Sequence, residues 1–292
     1  MGEPGEWDDD MLWTMHVTPD PDRPGEWRMF YTGLARSEFG RVQRVGLARS
    51  KDLYRWERCN GGAYPLEITS PLYESSTDEG RHWVSFRDPF FYVDPQSGER
   101  LLLCSARVKD GPVIRRGCVG VARETSPDCF SFEAPLHRPG LYDDVEVPNL
   151  LQLDGRYYLL GSIREDTKIH YWYSNTLEGP YENFFDNVIL PTGNYAGRIC
   201  RSEERVLLFN FFFQDGSPLR ARSGQETSAA AQGACHGPGR PAEAEVQPGF
   251  RQTGHAQRKH HRLSPVQVSV RQSPWVLGRP AGRPAPVVQE RL

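Results

Sequence analysis

Long apolar runs are missing from this sequence. No stretch approaches the roughly 18 residues that a membrane span requires, so no membrane partner is expected. Residues 1–10 are acidic and polar, with neither a basic region nor an apolar core, so they do not read as a secretion signal. A myristoylation signal is excluded as well, because position 6 is Glu where Ser or Thr is needed. The expected location is cytoplasmic. Paired cysteines are absent too. Cys59, Cys104, Cys118, Cys129, Cys200 and Cys235 lie far apart, and none forms a Cys-x-x-Cys pair. That argues against a zinc site and predicts reduced, mostly buried thiols. Helical periodicity is lacking between residues 10 and 214, where no segment repeats its apolar residues every 3.6 positions.

Other absences divide the chain of 292 residues. Residues 216–292 contain no Asp, Asn, Ile, Tyr or Met, and Phe250 and Trp275 are their only aromatics. They are rich in Gly, Pro, Ala, Arg, Gln and Ser, and cannot bury enough surface to offset the entropy of ordering. They carry 11 Lys and Arg against 4 Asp and Glu, while the rest of the chain carries 24 against 34. Residues 215–292 are therefore expected to be a disordered, low-complexity tail, and 1–214 the folded domain. The change is abrupt and falls in the middle of a repeat, so the tail reads as an out-of-frame continuation. A plain linker and a basic arm for acidic partners or nucleic acid are the lesser alternatives. The acidic body is not expected to bind nucleic acid.

What is present is a repeat. Residues 27–34 and 43–50 read as a hairpin, followed by a short strand ending on Trp56. The pattern returns at 100–107, 117–123 and 130–133, again at 156–163, 169–174 and 179–182, and in part at 205–212. Each copy is preceded by an opening strand, at 10–17, 86–93, 145–153 and 195–200. Asp94-Pro95-Gln96-Ser97-Gly98 and Asp154-Gly155 supply tight-turn chemistry between them. Four antiparallel strands in about 50 residues is the period of a β-propeller blade, with a β-sandwich as the alternative. In a propeller the opening strands line the central channel, and residues far apart in sequence meet there.

Three openers carry an acid near their start: Asp10, Asp88 and Glu146. Asp10 lies in the run Asp8-Asp9-Asp10 and reads more readily as a solvated loop residue. Asp88-Pro89 and Glu146-Val147-Pro148 are taken to occupy equivalent positions of adjacent repeats. Two carboxylates on a shared pocket are what glycoside hydrolysis needs, one protonated to release the leaving alcohol and one ionised. Arg87 would lower the pKa of a carboxylate beside it. Trp13, Tyr31, Trp83, Phe90 and Tyr195 suit stacking on sugar rings, and most such rings are core. Arg198, on the same opener as Tyr195, joins Arg87, Trp13 and Asp10 as a substrate-binding candidate.

The order of the Trp13-Thr14 opener, Phe30-Tyr31-Thr32-Gly33, residues 43–48, Phe86-Arg87-Asp88-Pro89 and Glu146-Val147-Pro148 resembles glycoside hydrolase family 32 over residues 8–214. This is the invertase, levanase and β-fructosidase group, in a clan with families 68 and 43. The resemblance implies an all-β fold: a five-bladed β-propeller, incomplete, with about three and a half blades recognisable. It implies a retaining β-fructosidase acting on sucrose, levan or inulin without metal or organic cofactor. Asp88 would stabilise the transition state by holding sugar hydroxyls, Glu146 would be the general acid/base, and Arg87 would orient Asp88. Two departures stand out. Val147 replaces the family's Cys between Glu and Pro. The family's nucleophile, on an Asn-Asp-Pro element of the first blade, has no counterpart, and Asp8, Asp9 and Asp10 are not expected to replace it. It is expected upstream of this chain, whose activity would then be impaired. The alternatives are an inverting, family 43-like arabinosidase or xylosidase, and a non-catalytic carbohydrate-binding propeller. Oligomeric state is left open.

Overall fold

The computed structural model describes residues 1–59, 64–202, 205–212, 243–247 and 267–271. They fall in two compact units, Met1–Gln152 with Thr176–Tyr181, and Leu153–Asn175 with Glu182–Leu292. No α-helix occurs among the described residues, and no helix there is long and apolar enough to cross a membrane.

In the first unit, one sheet runs β1 (Met11–Pro19), β2 (Trp27–Leu34), β3 (Gln43–Ser50) and β4 (Glu57–Arg58), antiparallel throughout. A second runs β5 (Arg87–Val93), β6 (Arg100–Arg107), β7 (Gly117–Ser126) and β8 (Cys129–Phe132) in the same manner. β9 (Glu146–Leu153) is the last strand to begin in this unit. Central strands are buried on both faces, which is why β6 carries the unbroken run Leu101-Leu102-Leu103-Cys104. The turn into β6 closes on Asp94, whose Oδ2 accepts the Ser97 N–H at 2.8 Å, and Gly98 supplies the positive φ of 76°. The two sheets pack through aromatic rings: Phe30 stacks on Phe91 at 5.3 Å and meets Phe130 of β8 edge-on at 5.8 Å.

β1 alternates. His16 faces the second sheet: its Nδ1 accepts the Phe91 N–H at 2.9 Å, and its ring lies 4.4 Å from Phe90. Met11, Trp13, Met15 and Val17 point to the other side and are 38–45% exposed, forming an open apolar stripe. The N-terminal segment folds back onto β2 and β3. The Trp7 ring stacks on Tyr31 at 5.7 Å, and a Cβ at Gly33 or Gly46 would come within 2.4 or 2.6 Å of it.

In the second unit, β10 (Arg156–Ile163), β11 (Lys168–Ser174) and β12 (Val188–Leu190) pair in succession. A further sheet runs β13 (Asn194–Ser202), β14 (Arg205–Phe212), β15 (Glu243–Gln247) and β16 (Gln267–Arg271). The strands expected at 27–34, 43–50, 100–107, 156–163 and 205–212 form with those bounds.

The outer strands differ from expectation. The stretch ending on Trp56 is a turn, because Asp52 Oδ1 accepts the N–H groups of Tyr54 and Arg55, and pairing resumes only at Glu57. Residues 179–182 give one isolated bridge, Tyr173 to Glu182, and the outer strand is β12 instead. Of the cysteines, Cys104 and Cys118 are buried and Cys59 is half-buried, but Cys129 and Cys200 are exposed; all are free thiols. Cys235 lies outside the described residues. β15 and β16 fall inside the expected tail, and the rest of residues 215–292 also lies outside the described residues.

Arginine binds the two sheets of the first unit together. The Arg28 side chain on β2 is fully buried, and its guanidinium meets Asp20 at 3.2 Å, Asp22 at 2.6 Å and Glu124 of β7 at 2.8 Å. Removing one member of a buried ion cluster strands the others without a partner. Arg28→Met is expected to lower unfolding free energy by about 3 kcal/mol. Urea unfolding measures this; a change below about 1 kcal/mol would mean that Arg49 and Arg100 neutralise the acids alone.

Candidate functional site

The site is built on irregularities in the opening strands. Ladder register shifts between Trp13 and Met15 in β1, between Arg87 and Phe90 in β5, and between Tyr195 and Arg198 in β13. Asp88 (φ 56°), Val147 (φ 49°) and Ala196 (φ 52°) are left-handed at the same place in β5, β9 and β13. Such a bulge turns a side chain away from its regular direction and takes a backbone N–H out of the ladder. For a β-branched residue such as Val147 this conformation is strained by about 1–3 kcal/mol, and the surroundings must hold it.

The alignment of repeats changes as a result. Asp88 and Glu146 are not equivalent. Asp88 corresponds to Val147 and Ala196, and Glu146 corresponds to Arg87 and Tyr195, one residue earlier. The sequence suggested otherwise because each acid lies just ahead of a proline, at unequal distances.

The freed amides hold the acid. The Asp88 N–H donates to Thr32 Oγ1 at 3.1 Å, and the Val147 N–H donates to Asp88 Oδ2 at 3.0 Å. Asn149 fixes the same bulge by donating from Nδ2 to the Val147 carbonyl at 2.8 Å. Asp88 is thus a buried carboxylate placed by backbone as much as by side chains.

Arg87 sits at the centre. Its Nη2 donates to Glu146 Oε1 at 2.8 Å and lies 3.4 Å from Asp144 Oδ2; its Nη1 donates to Gln43 Oε1 at 3.2 Å; its Nε is 3.5 Å from Asp88 Oδ2. Arg87, Asp88 and Glu146, all candidates from the sequence, are therefore one cluster. The sequence reading missed Asp144. Arg81 grips it with two hydrogen bonds, Nη1 to Oδ2 at 2.9 Å and Nη2 to Oδ1 at 3.1 Å. Burial pushes the Asp144 carboxyl up, but the charges of Arg87 and Arg81 and the Arg81 hydrogen bonds outweigh that and hold it below its ordinary value. Behind it, buried Arg107 donates to Glu74 at 2.8 Å and binds Asp143. The signal available in the sequence was the acidic pair Asp143-Asp144 directly ahead of Glu146.

The other candidates lie elsewhere. Trp13 is in register with Thr32, so its backbone neighbours the residue that holds Asp88, while its ring belongs to the open stripe of β1. The Asp10 carboxylate faces Arg36 at 3.7 Å instead. Tyr195 and Arg198 flank the β13 bulge in the second unit, opposite Phe211 and Phe209. Asp8 is fully buried, its carboxylate held by Arg58 at 2.6 Å and by the Tyr31 hydroxyl at 2.9 Å. Burial and the Asp8 charge together push the Tyr31 phenol far up. A cavity of about 270 Å³ beside Asp22, Arg100, Arg123 and Glu124 contains none of the candidate residues, and both its arginines are paired with carboxylates. No cluster of three or more His, Cys, Asp or Glu suited to a metal occurs among the described residues.

A carboxyl whose folded pKa is depressed adds stability above its unfolded value, and that contribution disappears as pH falls through the folded one. Asp144→Asn is expected to lose about 3 kcal/mol at neutral pH, where Arg81 and Arg87 are left under-neutralised. The gap from the parent protein should close as pH drops below the ordinary carboxyl value of 3.8. Urea unfolding at a series of pH values tests this, and a gap that stays constant into acid would refute it.

No family model and no curated protein matches the chain. Solved structures do. An inulosucrase from Halalkalicoccus jeotgali bound to kestose superposes with a TM-score of 0.59 at 21% identity, covering 80% of this chain and 67% of that one. Bacillus subtilis levansucrase gives 0.60 at 15% identity, over 93% of this chain and 72% of that one. A B. megaterium levansucrase variant gives 0.57 at 16% identity, over 81% and 65%. At these identities the likeness establishes the fold: the chain is all-β, and its four-stranded antiparallel sheets are those of an incomplete β-propeller.

Proposed function

We propose that this chain is a β-fructoside-binding propeller of the glycoside hydrolase type. The observation that carries this reading is the Arg87 cluster, in which one guanidinium contacts both Asp88 and Glu146. Arg87 and the Val147 N–H hold Asp88 in a fixed direction, as a residue that grips sugar hydroxyls requires. Glu146 is the more open of the two, with its side chain 15% exposed against 5% for Asp88. That suits the group that exchanges protons with a leaving alcohol and with water. The neighbours named for inulosucrase and levansucrase, one of them a levansucrase complexed with sucrose, support fructosides as the substrate class.

In this reading a retaining reaction needs a third carboxylate to attack the anomeric carbon. Asp144 is engaged by Arg81 and Arg87, and Asp8 by Arg58 and Tyr31. Neither is available, so turnover by this chain is low. The engagement of Asp8 also favours a second reading, a propeller that binds sugar without cleaving it.

The test is calorimetric titration with sucrose, inulin, an arabinoside and a xyloside, alongside assays of sugar release. Sucrose or inulin is expected to bind, and Asp88→Asn to weaken binding about 10–100-fold through loss of a charged hydrogen-bond acceptor. Glu146→Gln should leave binding largely intact and cut any hydrolysis by about 100-fold or more. Binding without hydrolysis in the parent chain selects the second reading. Preference for the arabinoside or xyloside overturns the fructoside assignment.

A further inference from the structure

Trp83 is 39% exposed, yet one face of its ring is covered and the backbone beside it is fixed. The Arg81 guanidinium lies over one face of its ring, 4.3 Å from the centroid. Arg81 is itself fixed by Asp143 at 2.8 Å, by Asp144 and by the Ser85 hydroxyl. The backbone next to the ring is pinned as well: the Val84 N–H donates to the Arg41 carbonyl at 2.8 Å, and the Val84 carbonyl accepts the Gln43 N–H at 3.3 Å. Arg81 covers one face of the ring, and more than a third of the residue is still exposed. An indole usually hides its apolar surface, and this one is left partly open.

Two routes tie the ring to the Arg87 cluster. One runs from Arg81 through Asp144 to Arg87. The other runs from Val84 to Gln43, whose side chain accepts from Arg87. Three residues separate Trp83 from Arg87, a Cα-to-Cα span of at most about 14 Å, within the reach of a short oligosaccharide. Sugar rings present apolar C–H faces that stack on aromatic rings, and a pre-positioned platform loses little entropy on binding.

We propose that the exposed part of the Trp83 ring is a stacking platform for a second sugar ring, next to the ring gripped by Asp88. This rests on the sugar-binding reading of the Arg87 cluster and adds a determinant of chain length to it. The monosaccharide fructose fills the Asp88 position alone; a trisaccharide such as kestose also reaches Trp83.

Titrations of the full chain with fructose and with kestose test the platform, on the parent protein and on the Trp83→Ala, Trp83→Tyr and Asp88→Asn variants. All are first checked for unchanged thermal unfolding. Trp83→Ala is expected to weaken kestose binding about tenfold and leave fructose binding unchanged, while Trp83→Tyr retains most of the affinity. Asp88→Asn should weaken both sugars. If Trp83→Ala binds kestose as the parent does, the platform is refuted while the cluster stands. Equal weakening of both sugars by Trp83→Ala refutes it also, since the ring would then support the first position. If the parent chain binds neither sugar, the reading of the cluster fails and the platform with it. A Trp83→Ala chain with altered unfolding is replaced by Trp83→Tyr and Trp83→Phe, where a loss of kestose binding like that expected for alanine overturns stacking.

Discussion

A guanidinium taken out of water must be neutralised where it lies, and the first unit is organised around meeting that demand at Arg87. The side chain is 9% exposed, and Asp88, Asp144, Glu146 and Gln43 surround it. Desolvating such a charge costs several kcal/mol, recovered only when geometry is good and every donor has an acceptor. Because arginine presents planar, forked donors, it can hold several oxygens at fixed angles where a lysine would hold a point. The arrangement therefore fixes position more than it adds stability. Asp88 and Glu146 cannot drift apart without leaving Arg87 partly unpaired.

The same device recurs at a distance from the site. Arg28 is enclosed by Asp20, Asp22 and Glu124, and Arg107 by Glu74 and Asp143. Both lie close to a strand end with fully buried side chains, where an aliphatic residue would be the ordinary choice. Ion clusters of this kind are directional, and aliphatic packing is not. Two sheets joined only by Phe30, Phe91 and Phe130 could slide; joined also through Arg28 to Glu124, they have one register. That register brings Thr32 of β2 under Asp88 of β5.

Much of this was legible in the sequence. Paired central strands announce themselves through continuous apolar runs and turn residues, so 27–34, 43–50 and 100–107 could be bounded without coordinates. Asp88 and Glu146, with Arg87 beside the first, stood out because strand interiors seldom carry acids and proline is confined to strand starts, so each acid marks the entry of a strand. The bulges did not show. Val147 and Ala196 give no compositional sign of a left-handed backbone, since the conformation is imposed by partners such as Asn149 and Asp88. The one-residue offset between Asp88 and Glu146 followed from that. Asp8 was hidden for a different reason: its burial depends on Arg58, 50 residues away, and on room made by Gly33 and Gly46. Outer strands were misplaced because two or three residues of pairing carry little periodic signal, as in Glu57–Arg58 and Val188–Leu190.

The Val147 bulge also bears on how such a site can drift over generations. What reaches Asp88 from position 147 is a main-chain amide, and every amino acid but one has it. The side chain at 147 therefore takes no part in holding the acid. Proline is the barred neighbour: it lacks the donor and locks φ near −65°, against the 49° found here. Proline follows immediately at 148, so the permissive and the forbidden positions are adjacent. A deletion or insertion of one residue between Glu146 and Pro148 would disable the site while leaving every conspicuous residue present.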